Sequence, residues 1–124
     1  MLGLALRAYL ELIFIDVLLR FRDFPALYEK VRRVSSAKAA SATRSAEQIC
    51  RAVDFACVFY WKQVPCLQRS AVTTMALRRH GIAASLVIGA QPLPFRAHAW
   101  VEAGGKVLND KSYISEIYPE LDRC

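Results

Sequence analysis

The sequence predicts an α+β domain, with helices over its first two-thirds and a small antiparallel sheet after them. Three observations carry that prediction. Apolar residues recur at helical spacing up to Gly81, the spacing changes to every second residue beyond it, and capping residues stand where the helical runs should begin and end. Helices followed by strands, rather than alternating with them, mark an α+β arrangement. A chain of 124 residues fits one domain with a modest core.

Residues 2–20 interleave apolar stretches with Arg7, Glu11, Asp16 and Arg20. Arg7 and Glu11, like Asp16 and Arg20, are four apart and are expected to pair along one helical face, leaving a wide apolar remainder. Four charges within about 20 residues argue against a bilayer-spanning helix. A buried or partner-docking helix is expected in preference to one lying in the membrane interface. A break at Phe24 and Pro25 begins a second helical segment over about 25–33. The Ser- and Ala-rich stretch 34–45 reads as a linker or frayed helix entry, which divides the chain into a helical arm, 1–45, and a working half, 46–124.

Ser45 followed by Gln48 forms a capping box for a third helix carrying Ile49, Val53, Phe55, Ala56 and Phe59. Pro65 suits the first turn of a fourth helix, about 65–80, which Gly81 is placed to stop in a left-handed cap. Ala84 to Ile88, Phe95 to Glu102 and Lys106 to Asp110, the last after a Gly104–Gly105 turn, are expected to form three antiparallel strands. Lys111 to Cys124 shows no strong pattern and is assigned no chemistry.

Cys66, at the start of the fourth helix, is the candidate nucleophile. A thiolate there sees the positive end of the helix dipole, and the free N–H groups of the first turn can bind an oxyanion. In the alternating run 95–102, Phe95, Ala97, Ala99 and Val101 share an apolar face, while Arg96, His98, Trp100 and Glu102 share the other. His98 is therefore the candidate base on the polar, cleft-like side, with Trp100 beside it to exclude water. Asp110 completes a Cys, His, Asp set as the orienter of the imidazole. Register makes a sharp demand here: a two-residue turn pairs 99 with 110 and sends Asp110 away from His98, so a three-residue turn over 104–106 or a bulge is expected. Asn109 is the stand-in orienter if the even register holds. Gln63 is a weaker candidate for an oxyanion donor. Cys50 and Cys57 read as structural, and His80 as a cation at a helix C-terminus.

Composition narrows the alternatives. The 17 basic and 11 acidic residues give a net charge of +6, with nine of the basic side chains between Arg7 and Arg51, which suits anionic lipid or an acidic peptide as well as a solvated face. No zinc-finger, helix-turn-helix or RNA-binding pattern accompanies that charge, so nucleic acid is not an expected partner. The content of 55% hydrophobic residues and the mean hydropathy of +0.22 leave apolar surface for a partner or a membrane, with residues 1–34 the segment to make that contact. The four cysteines lack the paired spacing of a zinc site, and neither a metal nor another cofactor is expected. With no secretory pattern at the N-terminus, the cytoplasm is the expected compartment.

The stretch Arg51 to Val53, Pro65 to Leu67, Ala76 to Ala83, Leu86 to Gly89, Ala97 to Glu102 and Asn109–Asp110 resembles the leader peptidases of lasso-peptide biosynthesis, which are transglutaminase-like, papain-related cysteine proteases. The likeness covers roughly residues 46–112 and includes the separations of 32 residues from Cys66 to His98 and 12 from His98 to Asp110. It implies a transglutaminase-like core, with Cys66, His98 and Asp110 as nucleophile, base and third member. It also implies removal of the leader from a ribosomally made precursor peptide so that a separate lasso cyclase can close the macrolactam. Because the first 45 residues read as helical, the winged-helix leader-binding (RiPP recognition element) module fused in some relatives is expected here as a separate protein. Two other readings compete: a transglutaminase-like acyltransferase or amidase on the same triad, and a non-enzymatic helical adaptor with Cys66 merely buried.

Overall fold

A computed structural model describes residues 2–35 and 45–124. The element order is α1 (Leu2–Phe21), α2 (Phe24–Arg33), α3 (Ala46–Phe59), α4 (Cys66–Arg79), β1 (Ser85–Pro92), β2 (Phe95–Ala103), β3 (Lys106–Val107), α5 (Ile114–Ile117) and β4 (Glu120–Arg123). The expected linker over 34–45 lies, from 36 to 44, outside the described residues.

Local chemistry sets the helix ends. Asp23, in extended backbone, accepts a bond from Ala26 N–H and places Pro25 in the first turn of α2. Ser45 and Gln48 exchange both bonds of a capping box at the start of α3. Gly81, at φ 81°, closes α4 with a bond from Ile82 N–H back to Leu77 O, the six-residue return of a Schellman cap.

The helices converge on α4. Leu12 and Ile15 of α1, Leu27 and Val31 of α2, Val53 and Ala56 of α3, and Ala71, Val72 and Met75 of α4 form one buried cluster, joined from the sheet by Leu86 and Ala99. Residues 2–33 thus share their core with the rest of the chain. Polar side chains of α4 reinforce it: Gln68 Nε2 donates to Leu12 O, and Arg78 donates to Val31 O and Ala84 O, tying α1, α2 and the entry to β1 to one helix. The expected pairs within α1 do not form. Glu11 instead meets Lys30 and Arg79, and Asp16 meets Lys62 and the Tyr60 hydroxyl, because both carboxylates flank the inward face while Arg7 and Arg20 point outward. Among the described residues no helix is long and apolar enough to cross a membrane.

The sheet is antiparallel in the order β3-β2-β1-β4, one strand more than expected. β4 escapes a pattern search because all four of its residues are exposed at a sheet edge, so burial imposes no alternation on it. The segment that carries α5 and β4 covers the face opposite the helices, where Ile114 and Tyr118 pack on Val87 and Trp100. Trp100 is fully buried, so this face is not the open polar side that the alternation suggested. Gly89 makes the closure possible: a Cβ there would lie 2.5 Å from Tyr118 O and 2.7 Å from a Trp100 ring carbon. Gly89→Ala should therefore lower stability by about 1–3 kcal/mol, as overpacking at a tight site does, measured by urea denaturation. An unchanged midpoint would contradict this packing.

Candidate functional site

Cys66 is the first residue of α4. Pro65 is the N-cap in extended backbone, and no side chain caps the helix, so the first-turn N–H groups have no side-chain acceptor. Cys66 is half-buried and, with Phe24, Leu67, Ile88, Ala97, His98 and Ala99, lines an open cavity of about 260 Å³. The other thiols are less suited to nucleophilic work. Burial pushes Cys50 up to about 11, Asp54 adding to the effect and Arg69 opposing it. Burial likewise raises Cys57 to about 11, and it raises Cys124 against the opposing effect of the nearby Tyr28 hydroxyl and of Arg78 and Arg32.

His98 lies on β2 opposite Gly89 of β1. Its Nε2 is 2.5 Å from Asp110 Oδ2, and its ring is stacked near Tyr118, with centroids 5.2 Å apart, and near Trp100 at 6.2 Å. The structure thus brings together the imidazole and the carboxylate. Cys66 and His98 both line one cavity, without a hydrogen bond between them.

Asp110 reaches His98 by a route the register argument did not contain. The turn is even: Ala103 pairs with Lys106 and Glu102 with Val107, across Gly104 and Gly105, which are both left-handed at φ 58° and 78°. Two successive left-handed glycines make a tight two-residue hairpin whose twist matches the strands, so the expected three-residue turn is not formed. The ladder then stops early. Leu108 N–H still donates to Val101 O, but Val101 N–H donates to the Asn109 side-chain oxygen at 2.8 Å instead of to a backbone carbonyl. Asn109 Nδ2 donates onward to Ser70 Oγ, whose hydroxyl donates to Ala99 O, and Arg69 donates to Asn109 O. Held on both sides, the chain leaves the sheet at Asn109, and the alternation that would have turned Asp110 away no longer applies. Asn109 is consequently no stand-in orienter, since its amide is spent on Val101 and Ser70.

Burial pushes the Asp110 carboxyl upward, but the bond to His98, the Lys111 N–H, the His98 charge and Arg69 outweigh it and hold the group below the usual carboxylate range. Among the described residues no group of three or more His, Cys, Asp or Glu is placed to hold a metal ion. Gln63 is exposed and lines a different cavity, beside Asp54 and Cys57. Sequence reasoning missed Phe24, Ser70 and Tyr118. Phe24 stands 42 residues before Cys66, Tyr118 falls in a tail without a strong pattern, and Ser70 had no cue beyond its position one helical turn after Cys66.

A family model described as the Transglutaminase-like superfamily matches residues 11–120. The chain is also similar to the Microcin J25-processing protein McjB of Escherichia coli, with 47% identity over 45 residues. That match covers 36% of this chain and 22% of the relative, so it spans well under two-thirds of either. No solved structure matches the chain.

Two expectations follow from the geometry. Asn109→Ala leaves the buried Val101 N–H without its acceptor and should cost about 1–3 kcal/mol, read by urea denaturation. A cost near zero would mean that the amide does not set the chain path. Because the folded pKa of Asp110 is lowered, the stability it contributes is fully present above the ordinary carboxylate value of about 3.9 and is lost as pH falls below it. Stability measured from pH 7 to pH 3 should fall less steeply at the acid end in Asp110→Asn than in the parent; parallel curves would refute the assignment.

Proposed function

The chain belongs to the transglutaminase-like superfamily, and from that premise we propose that it is a cysteine peptidase that removes the leader from a ribosomally made precursor peptide. Cys66 is the nucleophile, His98 the base and Asp110 the orienter of the imidazole. The observation that carries this reading is the bond from His98 Nε2 to Asp110, which leaves Nδ1 for the thiol that shares the cavity. The relative's name, a microcin-processing protein, supports a peptide precursor as substrate.

In this mechanism His98 Nδ1 takes the thiol proton as the Cys66 sulfur bonds to the scissile carbonyl carbon. The negative charge that builds on the carbonyl oxygen is met by the open N–H groups at the start of α4. The imidazolium then gives its proton to the leaving nitrogen as the C–N bond breaks, and water, deprotonated by the same imidazole, hydrolyses the thioester. Asp110 remains ionised throughout, fixes the tautomer and stabilises the imidazolium. The hydrogen bond between thiol and Nδ1, absent in the free protein, forms when substrate fills the cavity, as catalytic contacts often tighten only in the complex. A separate leader-binding protein delivers the precursor, a cyclase consumes the freed core peptide, and the cytoplasm is the site of the reaction.

Mass spectrometry of a precursor peptide incubated with the chain and the leader-binding protein tests the proposal. Cys66→Ala and His98→Ala should each lower cleavage by at least about 10³-fold, and Asp110→Ala by less, because it acts through the base. Undiminished cleavage by a folded Cys66→Ala variant would end the thiol mechanism.

A further inference from the structure

α1 has two apolar faces, and only one of them is covered. Ala5, Ala8, Leu12 and Ile15 are buried in the core, whereas Leu2, Leu6, Leu10, Ile13, Phe14, Val17 and Phe21 are between 39% and 78% exposed. At the 3.6-residue helical period, the outward residues occupy about 120° of arc. Arg7 and Arg20 fall at the two rims of that arc, and both are exposed. The two acidic side chains of the helix are turned away from it: Glu11 is held by Lys30 and Arg79, and Asp16 by Lys62 and Tyr60.

Charge decides what fits this stripe. Among the described residues of α1, the outer face carries basic groups and no acidic one. On the chain that follows, Arg22, Arg32 and Arg33 are exposed against the exposed acids Asp23 and Glu29, Arg33 pairing with Glu29, which leaves a basic excess, and Lys30 sits 4.3 Å over the Phe14 ring. An antiparallel second copy would bring only more arginines to the rims, with no carboxylate on the face to meet Arg7 or Arg20. An occupant must therefore be apolar in its middle and anionic at its border. We propose that the outer face of α1 seats in the plane of an anionic phospholipid surface, its aliphatic and aromatic side chains entering the acyl boundary and its arginines reaching the headgroups. The inward face anchors the helix to the core, so it lies along the surface without crossing it. Phe24, just beyond the end of α1, lines the Cys66 cavity.

Co-sedimentation of the full chain with vesicles of phosphatidylcholine alone, or of phosphatidylcholine mixed with phosphatidylglycerol, tests this. The chain should pellet with the mixed vesicles, much less with phosphatidylcholine, and less as salt rises. Arg7→Gln and Arg20→Gln should each weaken binding about fivefold. Leu6→Gln combined with Leu10→Gln and Val17→Gln should abolish it while the circular dichroism melt remains that of a folded protein. Should the triple variant not fold, the single Leu10→Gln and the salt series on the unmodified chain give the same decision. Failure to pellet with anionic vesicles overturns the proposal. So does equal binding to both vesicle types, or a dimer in sedimentation velocity that Leu10→Gln dissolves, which would assign the stripe to a second copy.

Discussion

One side-chain substitution within a β ladder governs the site. Where Val101 N–H would ordinarily find a backbone carbonyl, it finds the amide oxygen of Asn109. Everything downstream depends on that replacement: β3 ends after two residues, the backbone leaves the sheet, and the next carboxylate comes to 2.5 Å from an imidazole it could not reach by strand alternation. The cost of interrupting the ladder is offset by bonds from Asn109 to Ser70 and from Arg69 to the Asn109 carbonyl. Both partners stand on α4, the helix that begins with Cys66. A single rigid element therefore fixes the thiol at its N-terminus and, one turn along, the chain segment that carries the carboxylate.

The same helix explains why the fold buries so many polar groups beside its core. Gln68, Ser70, Thr73 and Thr74 are all buried, and each has a partner: Leu12 O, Ala99 O, Arg69 O and Ser70 O respectively. Unsatisfied, such groups would be costly; satisfied, they define one arrangement of α1, α4 and β2. The sheet contributes from its other face. Tyr118 and Trp100 flank the imidazole, and the missing side chain at Gly89 lets them approach.

Much of this was legible in the residues. Ser45 with Gln48, Pro65 and Gly81 announce helix ends through local hydrogen bonding and backbone freedom, which act over a few positions and are visible in a single sequence. The placement of Cys66 at a helix start and of His98 on a strand could likewise be read from periodicity, whereas Asp110, expected on a third strand over 106–110, stands beyond a β3 that ends at Val107. What could not be read depends on distant partners. The choice between a two- and a three-residue turn was settled by paired left-handed glycines, and its consequence for Asp110 was then cancelled by Asn109, whose role exists only once Val101 and Ser70 are beside it. The pairing of Glu11 and Asp16 with Arg79, Lys30 and Lys62 was hidden for the same reason. β4 left no trace because an exposed edge places no apolar demand on its residues.

The central claim is that the imidazole bonded to Asp110 also serves the sulfur at the start of α4. A crystal structure of the protein inactivated by a peptide aldehyde or chloromethyl ketone built on the leader end measures this directly. The account predicts a covalent bond from the probe to Cys66 Sγ or, for a haloketone that captures both groups, to the adjacent imidazole. In the aldehyde adduct His98 Nδ1 should lie within hydrogen-bonding distance of the sulfur, with Nε2 still on Asp110. An adduct on Cys50, Cys57 or Cys124, or an imidazole that stays out of reach of the modified sulfur, would contradict it.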